Sequence, residues 1–339
     1  MKRSWLTHTM VDAYREKLAR ATSVTVGKKL RAILMDNYIF VILIAFWVAA
    51  SVASPYFRTV STFSNILSSA VPIALIGFAQ TFVVLSRGFD LSVGAVASMA
   101  TAVASVVMIH NTFLGIALVL IIAVLIGTIN GFGVTKFHID PFIMTLCMMF
   151  FLTGVNLLIR PSPGGYIPDG YKKFLLYQVN EFPIVAFLIL VLTAVVGYIV
   201  LKKRKFGREV FAVGGQPEYA RMSGIKTDAT LIKVYIVSAL ASALGGLYLA
   251  SRIGSGNAEA GSSYLFDSFT TVFMGGTLVT GGVGGYSGTL GAALIISSIG
   301  RILQFLGIDI WYHFIVKGVL LASVAGIQLY FVSKRRRSR

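Results

Sequence analysis

Apolar residues in this chain gather into about ten long stretches instead of alternating with polar ones. They fall at residues 38–54, 66–86, 91–109, 113–135, 142–160, 183–201, 230–251, 265–280, 286–306 and 310–333. A helix crosses the ~30 Å hydrocarbon layer with ~20 apolar residues. Unpaired backbone groups are prohibitively costly there, so runs of this length are predicted to be helical. The expected fold is an all-α polytopic membrane protein with about ten transmembrane helices. The eighth stretch is short and bounded by Gly, and reads either as a full span or as a re-entrant or broken helix. The organisation is then a polar N-terminal segment (1–37), a membrane domain (38–333) with an internal loop at 202–229, and a basic tail (334–339). Within the N-terminal segment a short amphipathic helix is predicted near residues 11–19.

Composition agrees with the pattern. The chain of 339 residues is 56% hydrophobic and 13% charged, with a mean hydropathy of +0.81. A soluble domain of this length needs far more polar surface. The net charge of +17 raises the question of nucleic acid. No nucleic-acid module is present, however, and stacking aromatics are not interleaved with the basic residues. These residues flank apolar spans and are sorted. With ten spans, connections on the side of both termini hold 23 of the 30 Lys and Arg, whereas the opposite connections hold only Arg58, Arg160, Lys172, Lys173 and Arg252. Positive-inside sorting therefore places both termini in the cytoplasm. Ser51-Val52-Ala53 resembles a signal-peptidase site, but the polar segment before it is too long for an ordinary signal peptide. A single Cys147 excludes an intrachain disulfide, and the four His lack ligand spacing, so no metal site is expected.

The spans carry small residues at helical spacing: Gly94, Ser98 and Ala102; Gly127 and Gly131; Ser238, Ser242, Gly246 and Ala250. Such stripes let backbones approach closely in lipid, which predicts a dense bundle.

Four constellations carry candidate chemistry. In 87–94 (Arg-Gly-Phe-Asp-Leu-Ser-Val-Gly), Gly88 permits a tight turn, and Asp90 or Ser92 can cap the following helix, with Gly94 just inside it. This segment is either a cap and turn or a broken-helix hinge beside a transport path. In 207–228, Pro217 suits a first helical position, Glu218 the first turn and Gly224 the stop. The two-turn helix carries an apolar strip of Tyr219, Met222 and Ile225. It is too short to stand alone in water and needs a docking surface, either its own bundle or a partner protein. Third, the Gly pairs in 275–291 lack the Gly-x4-Gly-Lys-Ser/Thr of a phosphate loop, which occurs nowhere in the chain, and read as turning between spans. Finally, Gln80, Asn130, Asn156, Arg301, Gln304 and Lys317 fall inside spans. A Lys at a helix centre costs ~2.5–3.5 kcal/mol, so Lys317 is expected to face the bundle interior, water or a partner carboxylate. The amides of Gln80, Asn130 and Asn156 suit either interhelical hydrogen bonding or contact with a solute. No nucleophile, base and orienting group can be assembled, so catalysis by this chain is not expected.

With those residues in view, the chain resembles the permease subunits of bacterial ATP-binding-cassette importers for simple sugars, of the ribose, xylose and galactose type. The resemblance runs from about residue 36 onward. It is carried by 88–94, by 207–215 (Gly-Arg-Glu-Val-Phe-Ala-Val-Gly-Gly), by 220–225, by 250–255 (Ala-Ser-Arg-Ile-Gly-Ser) and by the Gly-rich 275–282. Arg87 and Phe89 depart from the family pattern, in which a second Gly precedes Ile-Asp-Leu-Ser. The resemblance implies a bacterial inner-membrane protein with no cofactor of its own. Mg-ATP would bind a partner ATPase subunit, a second permease copy or homologue would complete the pathway, and a periplasmic or lipid-anchored sugar-binding protein would deliver the solute. It implies that 216–225, with Pro217, Glu218, Tyr219, Ala220, Met222, Gly224 and Ile225, is the helix that couples to the ATPase. Arg58, Arg160, Lys172, Lys173 and Arg252 are the candidate contacts for the binding protein. Related permeases for branched-chain amino acids or nucleosides are the alternative, and an ion-coupled transporter, with Asp267 its best intramembrane carboxylate, is a further one.

Overall fold

The computed structural model describes residues 38–337; the segment 1–37, with its expected amphipathic helix, and the end of the tail lie outside the described residues. Among the described residues the secondary structure is helical, apart from two isolated bridge pairs. The helices are α1 (Tyr38–Ala53), α2 (Val60–Leu85), α3 (Val93–Val107), α4 (Thr112–Lys136), α5 (Pro141–Ile159) and α6 (Asp169–Leu175). There follow α7 (Ile184–Tyr198), extended by a π turn at Ile199–Lys203, then α8 (Lys205–Gly215), α9 (Pro217–Met222) and α10 (Thr227–Ile253). The last are α11 (Ser262–Met274), α12 (Tyr286–Phe305) and α13 (Ile310–Arg337). Seven of these are long and apolar enough to cross a membrane: α2, α4, α5, α7 with its π turn, α10, α12 and α13. Helices α1 and α3 are shorter apolar helices. The eighth apolar stretch resolves into the 13-residue α11 followed by an irregular Gly-rich segment.

Helix α2 begins at Val60, earlier than the apolar pattern implies, because Thr59 caps it: its Oγ1 accepts from the Thr62 N–H at 3.2 Å. The polar first turn had hidden that start. Burial then sorts the helices. In α2, 94% of the most apolar window lies inside the protein, against 22% in α5 and none in α13. Helix α2 is thus the central post, and α4, α5, α7 and α13 turn large apolar side chains such as Leu125, Phe150, Leu192 and Ile315 outward. So extensive an apolar exterior is suited to lipid. The small-residue stripes mark the tightest crossings. A Cβ on Gly246 of α10 would lie 2.2 Å from the Ala97 carbonyl of α3, and one on Gly127 of α4 would lie 2.6 Å from the Tyr235 carbonyl of α10.

Hydrogen bonds define the two ends of the bundle. At one end Arg87, Gly215 and Thr280 meet, the Tyr38 hydroxyl donates to the Met274 carbonyl at 2.6 Å, and Gln328 of α13 donates to the Phe273 carbonyl at 2.6 Å. Both ends of the described chain therefore approach the face that carries α8 and α9. At the other end Gly164 and Gly256 pair as a bridge. There the irregular segment 254–261 is satisfied by α3: Thr101 Oγ1 donates to the Asn257 carbonyl at 2.9 Å, and the Gly261 N–H donates to Ser98 Oγ at 2.8 Å. Non-helical backbone at such depth is tolerated where protein groups satisfy it.

Candidate functional site

Between α2 and α3 the chain leaves helical geometry at 86–92 and folds around a buried carboxylate. Asp90 Oδ1 accepts from the Ser92 N–H at 2.9 Å and from Ser92 Oγ at 2.5 Å. Its Oδ2 accepts from Ser238 Oγ of α10 at 2.7 Å. Asn130 of α4 donates to Ser92 Oγ at 3.1 Å, so three elements share one polar cluster, each member of it buried. The backbone of the same loop is held by Thr145 of α5, which accepts from the Leu91 N–H at 3.1 Å. The sequence offers Asp90 or Ser92 as a cap, in a segment that is either a cap and turn or a broken-helix hinge; Asp90 closes a local turn and reaches across to α10, while the first turn of α3 has no side-chain cap. Nor does Gly88 supply the left-handed turn. Arg87 does, at φ +64°, in a region that costs a side-chain-bearing residue ~1–2 kcal/mol. What Gly88 permits is proximity: a Cβ there would lie 2.9 Å from Val83 Cγ1 and 3.0 Å from the Tyr235 hydroxyl.

Arg87 is held in that conformation by its own contacts. Its Nε donates to the Thr280 carbonyl at 2.9 Å and its Nη2 to the Gly215 carbonyl at 2.6 Å. The Gly282 N–H donates to the Leu85 carbonyl at 2.9 Å. One side chain thus joins the end of α2, the end of α8 and the Gly-rich segment after α11.

Gly215 leads directly into α9. Pro217 occupies its first turn, Gly224 follows it at φ +81°, and the Ile225 N–H returns to the Ala220 carbonyl at 3.1 Å. Ala220 is buried and Ile225 half-buried, whereas Tyr219 and Met222 are 67% and 82% exposed. The apolar strip is therefore split. Its Ile225 end packs on the protein, and Tyr219 and Met222 project from the face that also holds the ends of α4 and α8. Asp228 at the start of α10 fixes the base, pairing with Lys136 at 2.9 Å and lying 3.7 Å from Arg221.

The amides proposed from sequence are buried in the helix packing. Asn156 donates to the Ala95 carbonyl at 3.0 Å, and Asn130 belongs to the Asp90 cluster. Gln80 is fully buried, with no hydrogen-bond partner for either amide atom among the described residues. Lys317 of α13 meets Asp267 of α11 at 2.8 Å, and the pair lines a polar cavity of about 340 Å³ bounded by α2, α10, α11, α12 and α13. A second cavity, of about 380 Å³, runs beside α3 and includes Gly94, Ser98 and Thr153. Neither cavity touches Gln80, Asn130 or Asn156. Sequence reasoning missed the first of these, because its polar residues come from five helices and look unrelated along the chain.

The basic residues of the opposite end differ in freedom. Arg160 is half-buried, donating to Ser105 Oγ at 2.9 Å and to the Ser105 carbonyl at 3.1 Å. Lys172 pairs with Asp169 at 2.8 Å, and their hydrogen bond holds the Asp169 carboxyl below and the Lys172 ammonium above their ordinary ranges. Arg58, Lys173 and Arg252 are exposed.

A protein-family profile described as branched-chain amino acid transport system / permease component matches residues 62–325. Among curated proteins, the ribose import permease protein RbsC of Haemophilus influenzae is 34% identical over 309 residues, covering 89% of this chain and 95% of the relative. RbsC of Bacillus subtilis is also 34% identical, covering 81% of this chain and 86% of its own length. The galactose/methyl galactoside import permease protein MglC of Escherichia coli is 28% identical over 325 residues, covering 89% and 96%. No solved structure matches the chain. The protein is a multi-pass membrane protein that belongs to this permease-component family, and its likeness to ribose and galactose import permeases spans nearly all of the described helices.

Proposed function

We propose that this chain is the permease subunit of an ATP-binding-cassette importer in a bacterial inner membrane, and that it passes a monosaccharide or a related polar solute. Its relatives carry out ribose or galactose import by name. The observation that carries the reading is α9: a two-turn helix clamped to the bundle at Ala220, Ile225 and Asp228, with Tyr219 and Met222 left in the open. Large apolar side chains at the tip of a clamped helix suit a pocket on another protein. In this reading Mg-ATP is bound and hydrolysed on partner ATPase subunits that receive α9. Charge sorting puts α9 in the cytoplasm and the opposite end outside, where Arg58, Lys173 and Arg252 face an external binding protein. Two permease copies, or this chain and a homologue, form the pathway.

Within one subunit, Arg87 connects α9 through Gly215 to the Gly-rich segment after α11, and the Asp90 cluster ties the same loop to α4 and α10. Hydrogen bonds thus link the end of α8, which leads into α9, to the loop and helices around the buried polar groups. The family description favours branched-chain amino acids as the second reading. An ion-coupled mechanism loses its best carboxylate, since Asp267 is already paired with Lys317. The test is uptake by proteoliposomes holding this chain, its ATPase and its binding protein. Sugar accumulation that requires Mg-ATP supports the reading, and accumulation by this chain alone on an ion gradient overturns it.

A further inference from the structure

A pocket of about 530 Å³ opens where the end of α4 and the start of α10 meet the base of α9, within the ~300–1,000 Å³ range of small-molecule sites. Lys136, His138, Arg221 and Lys226 line it, Asp228 is the carboxylate of the lining, and Ile232 belongs to its apolar part. The basic groups are accessible. The Lys136 and Arg221 side chains are 52% and 74% exposed, and His138 and Lys226 are exposed as well. Asp228 pairs with Lys136 and lies 3.7 Å from Arg221, so one carboxylate faces three permanent positive charges. His138 and Lys226 take part in no ion pair among the described residues. Asp140, two residues beyond His138, accepts from the Phe142 N–H at 2.9 Å and is not part of the lining.

The helix surface that leads to the pocket separates a lipid from a free anion. Lys136 ends a face of α4 on which Ile121, Leu125, Ile129 and Phe132 recur every three or four residues, and all four are exposed. Residues at that spacing share one side of a helix. An apolar strip thus runs outward along membrane-spanning α4 and finishes at a basic pocket. On α10, Ile232 stands one turn after Asp228 and continues the apolar lining. A free phosphate or a protein carboxylate uses only the charged end of this surface. A phospholipid uses both, with its chains on the strip and its headgroup phosphate in the pocket. The uncompensated positive charge favours an anionic headgroup over a zwitterionic one, by about fivefold for each basic residue beside it.

We propose that this pocket is the headgroup site of an anionic phospholipid whose acyl chains lie along the outward face of α4. Lys226 and Arg221 take the phosphate, His138 borders it, and Lys136 stays on Asp228. Because Arg221 belongs to α9, the bound lipid braces the base of that helix against the bundle. The binding claim does not rest on the transport reading.

The test is native mass spectrometry of the purified full-length protein in detergent, offered equal amounts of phosphatidylglycerol and phosphatidylcholine with the same acyl chains. Phosphatidylglycerol is expected to bind first, about fivefold or more tightly than phosphatidylcholine. Lys226→Gln with His138→Gln is expected to cut that preference by about fivefold. Arg204→Gln, in the basic run after α7, is expected to leave it unchanged. All three side chains are exposed, so the variants are expected to fold, which a monodisperse elution profile checks. Equal binding of the two lipids overturns the proposal. So does a preference that Arg204→Gln lowers as much as the double variant does, which makes it a general attraction to basic surface. Displacement of the lipid by excess glycerol phosphate overturns it in favour of a free-anion site. Release of the lipid when the ATPase subunit is added overturns it in favour of a carboxylate on a protein partner.

Discussion

At the level of single residues, Lys317 and Asp267 show how charge is kept inside a bundle that faces lipid. Each was visible in the sequence as a misplaced charge within an apolar stretch, and the cost of Lys317 already demanded a partner, the interior or water. Their meeting was not legible, because they stand on two helices fifty residues apart in sequence. Removing one partner of a buried pair strands the other. Lys317→Met is therefore expected to lower stability by about 3–5 kcal/mol, and Lys317→Met with Asp267→Asn to recover most of that loss. Thermal unfolding of the purified variants measures both. Asp90 makes the complementary case. As a cap it would be dispensable, whereas as the acceptor for Ser92 and Ser238 it holds 86–92 against α10. Each lost bond is worth about 0.5–1.5 kcal/mol. Asp90→Ala is expected to insert in the membrane yet to transport poorly, read by uptake normalised to membrane-inserted protein. Uptake equal to wild type would return Asp90 to the role of a turn residue.

At the level of elements, apolar runs were enough to find the helices but not their ends. Thr59 extended α2 into residues too polar to be counted, and Gly-rich sequence cut the eighth stretch down to α11. Helix α9 was readable from Pro217, Glu218 and Gly224, since capping chemistry is local. Which part of its strip would be free was not, since that depends on which side chains the tertiary fold buries, Ala220 and Ile225 rather than Tyr219 and Met222. The exposed pair carries the coupling proposal. Tyr219→Glu with Met222→Glu is expected to leave the fold intact, because both side chains are exposed, and to reduce ATP-driven uptake by about tenfold or more, as for the anchor residues of an interface. Transport at the wild-type rate would remove α9 from the coupling role.

At the level of the whole molecule, the sequence carried the sorting of charge and the even number of apolar stretches, and the structure brings Tyr38 and Gln328 to one end. The polar cavity near the other end was not legible, because side chains from five helices converge on it. Orientation is open to a direct check. In a Cys147→Ser background, Glu218→Cys is expected to react with a membrane-impermeant thiol reagent only in inside-out vesicles, and Lys173→Cys only in right-side-out cells. The reverse pattern would invert the proposed path. The most direct measurement of all is simultaneous ATP hydrolysis and solute accumulation in proteoliposomes carrying this permease, its ATPase and its binding protein. Accumulation should start on addition of Mg-ATP and stop when the ATPase subunit is omitted. Accumulation that persists without the ATPase, or hydrolysis by the permease alone, would contradict a subunit whose movement is driven from outside its own chain.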